Sequence, residues 1–456
     1  MSRPRKRLNP FAQGNLFEGE MTLVAEAHSV AGSAEEDLMS VVVRPDVVSE
    51  AISRVKSNGG SPGVDGMTVH DLVVFWGIHG EKIVRVLASG DYVPRPVRRV
   101  SIPKPGGGER ELGIPTVVDR VVQQMLLIAL EPRFEALFSD SSYGFRPNRC
   151  AHDAVMKAKG YVASGLDWVV DIDLERFFDR VNHDVLMSRL ARRISDKRVL
   201  KLIRRFLNSG VMLGGVVMDT EEGTPQGGPL SPLLANVLLD DFDKELERRG
   251  LHFVRYADDC NIYVGSKRSA ARVLETATNF LEVKLRLRVN RAKSASAPAS
   301  ERRFLGFTIL RFATGATVRI SDKSVKRFKD EIRARSSRVR RIRSKEFIGE
   351  LDRYMRGWAG YYARSVGGWE QLEQLDWWVR RRIRQWLWVQ WKTPRRRYSK
   401  LIQAGIPEEQ ARKTIWTKSA WRAAGHGCVE RCINNSHISK AGLTSLLDHK
   451  RRFASL

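Results

Sequence analysis

The sequence predicts an α+β body followed by an all-helical, strongly basic last third. Short alternating apolar runs interleave with helical periodicity up to about residue 319, and the runs sit close enough in pairs to form antiparallel strands. From Ile320 onward the apolar spacing is helical throughout. The charge steps at the same place: residues 320–456 hold 32 Lys+Arg against 13 Asp+Glu, while the first 319 hold 46 against 39.

These balances bound the function. A net charge of +26 on 456 residues points to a polyanionic partner, most simply nucleic acid. With 42% hydrophobic residues the chain has a sizeable core and is not a disordered basic tail. Four cysteines exclude a disulfide scaffold. No run approaches the ~18 apolar residues of a membrane span, and no apolar segment follows the basic start, so neither a membrane partner nor a secretory signal is expected. Nine of the 11 Trp fall after residue 350, a basic and aromatic mixture that suits phosphate contact and base stacking. Most of these Trp individually read as helix core.

Residues 1–45 mix Pro, Gly, Ser and acids and read as a loosely ordered leader. A short helix over Val47–Val55 runs into the turn-rich loop 58–66, which is not a P-loop because no Gly-Lys-Ser/Thr follows. Residues 97–102 alternate as a strand, 103–108 turn, and a long helix spans about Val117–Leu137 through Val118, Val121, Val122, Met125, Leu126 and Ala129. Trp168–Leu174 reads as a strand and Glu175 as a helix start. Helices are expected over 196–208, 233–249 and 267–287, a strand pair over His252–Val264, and a short strand over Arg303–Leu310. Beyond Ile320, Val325, Phe328 and Ile332, then Leu351, Met355 and Trp358, then Leu372, Val379 and Ile383 keep helical spacing.

Two acidic strand ends carry the chemistry. In Tyr256-Ala257-Asp258-Asp259, adjacent carboxylates sit between apolar flanks (Phe253, Val254 and Ile262, Tyr263, Val264). Pinning two like charges at the end of a buried hairpin is costly without a cation, and hard carboxylate oxygens suit Mg²⁺. Upstream, Asp171 and Asp173 share one strand face. Carboxylates from two adjacent strands suit two divalent ions roughly 4 Å apart, the arrangement of nucleotidyl transfer.

These residues belong to a larger pattern that resembles the group II intron reverse transcriptases, which double as maturases. Arg95–Arg120 is similar to the family's first finger motif and Tyr143–Arg149 (YGFRPNR) to the next. Residues 168–187 are similar to the first palm motif, Thr224–Pro232 (TPQGGPLSP) to the fourth block and Tyr256–Asp259 to the YADD signature. Asn290–Lys293 and Phe304–Phe307 (FLGF) match later blocks, and Arg356–Arg364 (RGWAGYYAR) the maturase core. The blocks keep the family's order over about residues 46–400, which is far more specific than YADD alone.

The resemblance implies a right-hand fold. An extension over 46–94 precedes fingers and palm over 95–319, a thumb or maturase domain over 320–392, and a basic, DNA-binding-like domain over 393–456. It selects Asp173 over Asp171, so the implied triad is Asp173, Asp258 and Asp259. The triad would hold two Mg²⁺, with Mn²⁺ an alternative, and Leu174 would add a backbone carbonyl. Phe178 would lie under the sugar and exclude a 2′-hydroxyl. Lys104 and Arg110 would reach the triphosphate, Gln226 and Gly227 would lie beside the incoming nucleotide, and Lys293 would meet the pyrophosphate. Arg146, Arg149, Arg338, Arg341, Arg380, Arg381 and Arg384 are the expected nucleic-acid contacts. The implied partners are group II intron RNA, a template–primer duplex, target DNA and dNTPs, in the bacterial cytoplasm at the nucleoid. The resemblance is to the shorter class C-like proteins without an HNH nuclease. In the tail, His426, Cys428, Cys432 and His437 offer one irregular Cys pair, which reads as reduced core cysteines rather than a zinc site. Two other functions share these motifs: a related reverse transcriptase in phage defence or DNA repair, and a binding-only splicing factor. The oligomeric state is open.

Overall fold

The computed structural model describes residues 37–103, 109–213, 216–218, 223, 227–337, 342–365 and 367–454. Two four-stranded sheets and a hairpin carry the described strands. In the first sheet β1 (Val97–Pro103) pairs antiparallel with β2 (Glu109–Ile114), and its other edge meets β4 (Val211–Leu213) in parallel, with Val97 opposite Val211. β5 (Val216–Met218) closes that edge.

The second sheet positions the acidic strand ends. Its order is β6 (His252–Tyr256), β7 (Asp259–Val264), β3 (Trp168–Ile172) and β8 (Ala295–Pro298), antiparallel at every pairing. Trp168 faces Val264 and Asp171 faces Asn261 across β3 and β7. The period-2 alternation buries both faces. Val170, Ile172, Phe253 and Ile262 join one core with the helices Val117–Glu135 and Ser231–Arg248. Val169, Val254 and Tyr263 join a second core with helix Ala151–Ala163, the hairpin of β9 (Phe307–Phe312) and β10 (Gly315–Ile320), and the C-terminal helices.

Several elements depart from expectation. The leader is not loose to residue 45: helix Leu38–Val42 buries Leu38, Met39 and Val42, and Met39 N donates to Asp196 Oδ2 at 2.8 Å. No α-helix starts at Glu175. The chain after Ile172 is held by a later segment, with Asn290 N donating to Asp173 O and Glu175 N to Arg288 O, each at 2.8 Å. Arg176 then takes a left-handed φ of 48°, a 3₁₀ turn spans Phe177–Arg180, and the helix waits for the Asn182 cap. The helix from Lys267 ends at Asn279 and widens into a π turn over Phe280–Lys284. FLGF is mostly a turn, with Leu305 and Gly306 at positive φ, and β9 begins at Phe307.

After Ile320 the described elements are helices: Asp322–Arg335, Ser344–Ser365, Glu370–Gln390, and shorter ones through Leu446–Ala454. Phe347 stacks on Trp386 with centroids 4.1 Å apart, and Trp386 and Trp388 are buried, whereas Trp369, Trp377 and Trp416 face solvent. The thumb helices meet the palm sheet through the shared core, and they bond its neighbours through His152 Nε2–H on helix Ala151–Ala163 to Tyr361 O at 2.8 Å and through Tyr361 Oη–H to Leu305 O at 2.9 Å. No helix among the described residues is long and apolar enough to cross a membrane.

The last helix is docked by a buried carboxylate. Asp376, 2% exposed, accepts from Ser445 Oγ (2.5 Å), Leu446 N (2.9 Å) and Leu447 N (3.2 Å). Asp376→Ala strands these donors and should cost about 1–3 kcal/mol in urea unfolding, with limited proteolysis cutting the C-terminal helices first. An unchanged urea midpoint would mean that apolar packing alone docks the helix.

Candidate active site

A cleft of about 1360 Å³ lies between the two sheets. Asp173, Leu174, Phe178, Asp258 and Lys293 line one side, and Gly227–Gly228, Leu112 and Gln124 line the other. The rim is the loop after helix Pro45–Asn58. Arg120 clamps it with Nη1 to Gly59 O at 3.1 Å and Nη2 to Ser61 O at 2.8 Å.

The carboxylates converge because of strand parity. Asp171 and Asp259 fall on the same face as Val169 and Tyr263, across β3 and β7. Asp173 follows one step beyond β3, its backbone fixed by Ser294 Oγ accepting from Asp173 N at 3.0 Å. Asp258 and Ala257 form the two-residue turn between β6 and β7, with Tyr256 opposite Asp259. Burial, then the charges of Asp171, Asp258 and Asp173, push the Asp259 carboxyl up from its ordinary 3.8 to about 8. Burial also raises Asp171, against the pull of Arg302 Nη1, 3.7 Å from Asp171 Oδ2. Lys293 Nζ meets Asp173 Oδ2 at 3.2 Å. Among the described residues, no three His, Cys, Asp or Glu side chains already form a finished metal cage. The site fits a cation through charge instead: neighbouring carboxylates raise one another's cost of ionisation, and a divalent ion removes that cost.

Glycines set the opposite wall. Gly227 has φ +129°, and a Cβ there would lie 2.9 Å from Gly113 O; one on Gly228 would lie 2.3 Å from Gln123 Oε1. Phe178 packs edge-on against buried Phe177, ring centroids 5.1 Å apart, and lines the cleft. Leu174 forms an isolated bridge to Val289. Arg110 faces Ile102 across β1 and β2 through its main chain. The expected roles of Lys104, Gln226, Arg338 and Arg341, and of the Arg110 side chain, lie outside the described residues.

Two expected nucleic-acid contacts are corrected. Arg146 is buried, with its guanidinium bonded to both Glu135 carboxylate oxygens, Ser139 O and Ser142 O, so it braces the chain before β3 and presents nothing to a phosphate. Arg384, 2% exposed, bonds Ile433 O and Asn435 Oδ1 and pairs with Glu430, tying the thumb to the tail. Arg149 is a partial case, bonded to Asp140 and over the Tyr143 ring. Arg381 lies between Trp377 and Trp421 and donates to Trp421 O, and Arg380 is half-buried. Exposed cations include Lys326, Arg327, Arg395 and Arg396. The tail residues do separate jobs: His426 caps a helix through Cys428 N, Cys428 is buried, Cys432 Sγ reaches Lys400 O, and His437 Nδ1 lies 3.1 Å from Cys432 O.

Sequence reasoning missed two supports. Buried Arg255 holds the Ala257 carbonyl at 2.9 Å, and Gly144 lies directly against the same turn. The position of Arg255, directly after Phe253 and Val254 and before Tyr256, was a visible signal.

Residues 102–309 match the family described as reverse transcriptase (RNA-dependent DNA polymerase), and residues 325–403 match the group II intron maturase-specific domain. Protein YkfC of Escherichia coli is 34% identical over 297 residues, covering 56% of this chain and 78% of YkfC. The group II intron-encoded protein LtrA of Lactococcus lactis is 31% identical over 356 residues, covering 64% of this chain and 59% of LtrA. Nuclear intron maturase 2, mitochondrial, of Arabidopsis thaliana is 30% identical over 177 residues, covering 30% and 24%.

The raised Asp259 gives a signed pH dependence. Unfolded, the carboxyl releases its proton near 3.8; folded and metal-free, it keeps it to about 8. The folded chain binds the extra proton across that window. Its stabilising contribution is therefore full below the window and is lost as pH rises through it. Urea midpoints in EDTA should show this decline, Asp259→Asn should flatten it, and Mg²⁺ should suppress it. An identical decline in Asp259→Asn would place the titration elsewhere.

Proposed function

Because the chain belongs to the group II intron-encoded reverse transcriptases and maturases, we propose that it copies a structured intron RNA into cDNA and also binds that RNA to promote splicing and mobility. Residues 102–309 form its RNA-directed DNA polymerase domain and 325–403 its maturase-specific domain. The observation that carries the reading is the placement of Asp173 and Asp258 on the lining of one large cleft, with Asp259 close enough to feel the charge of both.

Asp173, Asp258 and Asp259 would hold two Mg²⁺ ions, or Mn²⁺, with the Leu174 carbonyl as a further ligand. When bound, these ions lower the pKa of the primer 3′-hydroxyl and offset the charge on the leaving pyrophosphate. The chain's own residues do the rest. Phe178 supports the sugar and leaves no room for a 2′-hydroxyl. Gly227 lets the backbone approach the base pair. Lys104 and Arg110 neutralise the triphosphate. Lys293 turns from Asp173 to the phosphates, where its ammonium donates a proton to the departing pyrophosphate. Arg149, Arg380, Arg381 and the outward cations of the thumb meet RNA, the template–primer duplex and target DNA, an attraction that weakens with salt.

Primer extension on an RNA template with dNTPs and Mg²⁺ should proceed with the unaltered chain and fall at least about a thousandfold with Asp258→Ala/Asp259→Ala. Absence of synthesis by the unaltered chain, with tight RNA binding, would leave the splicing-factor function alone. Phe178→Ala should raise NTP incorporation relative to dNTP, measured as the ratio of kcat/KM values. An unchanged ratio would move the sugar gate to another residue.

A further inference from the structure

Arg255 stands one residue before Tyr256, is 1% exposed, and makes its contacts inside the palm. Its Nε and Nη2 meet Asp243 Oδ1 and Oδ2 at 2.8 and 2.5 Å. Its Nη1 donates to Asn236 Oδ1 and to Ala257 O, both at 2.9 Å. Ala257 is the first residue of the acidic turn and has φ +59°, a left-handed conformation that costs an alanine roughly 1–2 kcal/mol. On its other side a Cβ at Gly144 would come within 2.2 Å of Ala257 N. Asn236 bonds both parties: its Nδ2 donates to Gly144 O at 2.9 Å. The strand is gripped too, with Arg255 N donating to Ser141 O and Tyr143 N to Arg255 O, each at 2.8 Å.

Stability alone is a poor account of this network. A buried ion pair replaced by well-packed apolar residues is often neutral or stabilising. Here the charge is spent on a carbonyl at the tip of a strained turn. Asp243 and Asn236 lie on helix Ser231–Arg248, which starts at the glycine wall across the cleft. One side chain thus references the acidic turn to the opposite wall.

We propose that Arg255 is a positioning residue: by holding Ala257 O from the Asp243–Asn236 anchor, it fixes Asp258 and Asp259 at the spacing that binds divalent cations. This rests on the metal-dependent reading of the same site. These bonds are made without nucleic acid or nucleotide, so the effect belongs to the free protein.

The test is Mn²⁺ titration of the full chain without nucleic acid or dNTP, reading free Mn²⁺ by electron paramagnetic resonance, alongside urea unfolding in EDTA. Arg255→Met/Asp243→Leu removes the charges together and keeps the core filled. It should unfold near the native midpoint yet bind Mn²⁺ about tenfold or more weakly, the scale of lost support to a ligand shell. Arg255→Lys covers the case in which the double variant does not fold: lysine keeps the Asp243 pairing but cannot span Asn236 and Ala257 O together, and should also weaken Mn²⁺ binding. Native Mn²⁺ affinity in a folded variant of either kind, with Asp258→Ala weakened, overturns the positioning role and leaves the metal reading intact. Native affinity in Asp258→Ala overturns the metal reading, and the positioning role with it.

Discussion

The buried contact between Arg255 and Asp243 joins parts of the chain that would otherwise be independent. The Arg255 guanidinium ties the acidic turn to helix Ser231–Arg248, while the Arg255 main chain pairs with Ser141 and Tyr143 and Asn236 bonds Gly144. Carboxylates repel, and Asp258 in the turn is followed directly by Asp259 at the start of β7. The pair holds the Ala257 carbonyl from inside, where water cannot compete and each hydrogen bond acts at low dielectric.

Much of this was legible in the sequence. The alternation in 252–264 predicted the hairpin, whereas the strand expected over Trp168–Leu174 ends at Ile172, so Asp171 lies on β3 and Asp173 just past it. The long helix and the helical last third followed from apolar spacing. Partnership across long sequence distances was not legible. Arg146 and Arg384 look like their neighbours in the sequence, and only Glu135 and Glu430 with nearby carbonyls make them internal braces. The missing helix at Glu175 has the same cause, because residues 288–290 supply hydrogen bonds that local propensity cannot foresee. Helix Leu38–Val42 escaped notice because its apolar stretch is one turn long.

The basic last third divides its charge between two uses. Arg381 and Arg397 stack on tryptophans, Arg382 bonds Ser336, and Arg384 ties down the tail, so these cations build the thumb. Lys326, Arg327, Arg395 and Arg396 face outward. Net charge therefore overstates the surface available to phosphate, and the tryptophans serve partly as seats for arginine.

The two-sided burial of the palm sheet sets the order in which a growing chain becomes stable. Strand β3 leaves the ribosome about 90 residues before β7 and well over 100 before β8, and the core over its second face draws on Phe304, Phe347 and Trp386. A nascent chain that has emerged only as far as the acidic turn has its carboxylates in sequence but half of the sheet still wet. Synthesis must run into the thumb before the palm can close, so a polymerase domain truncated before the thumb would expose apolar strand faces and aggregate rather than fold.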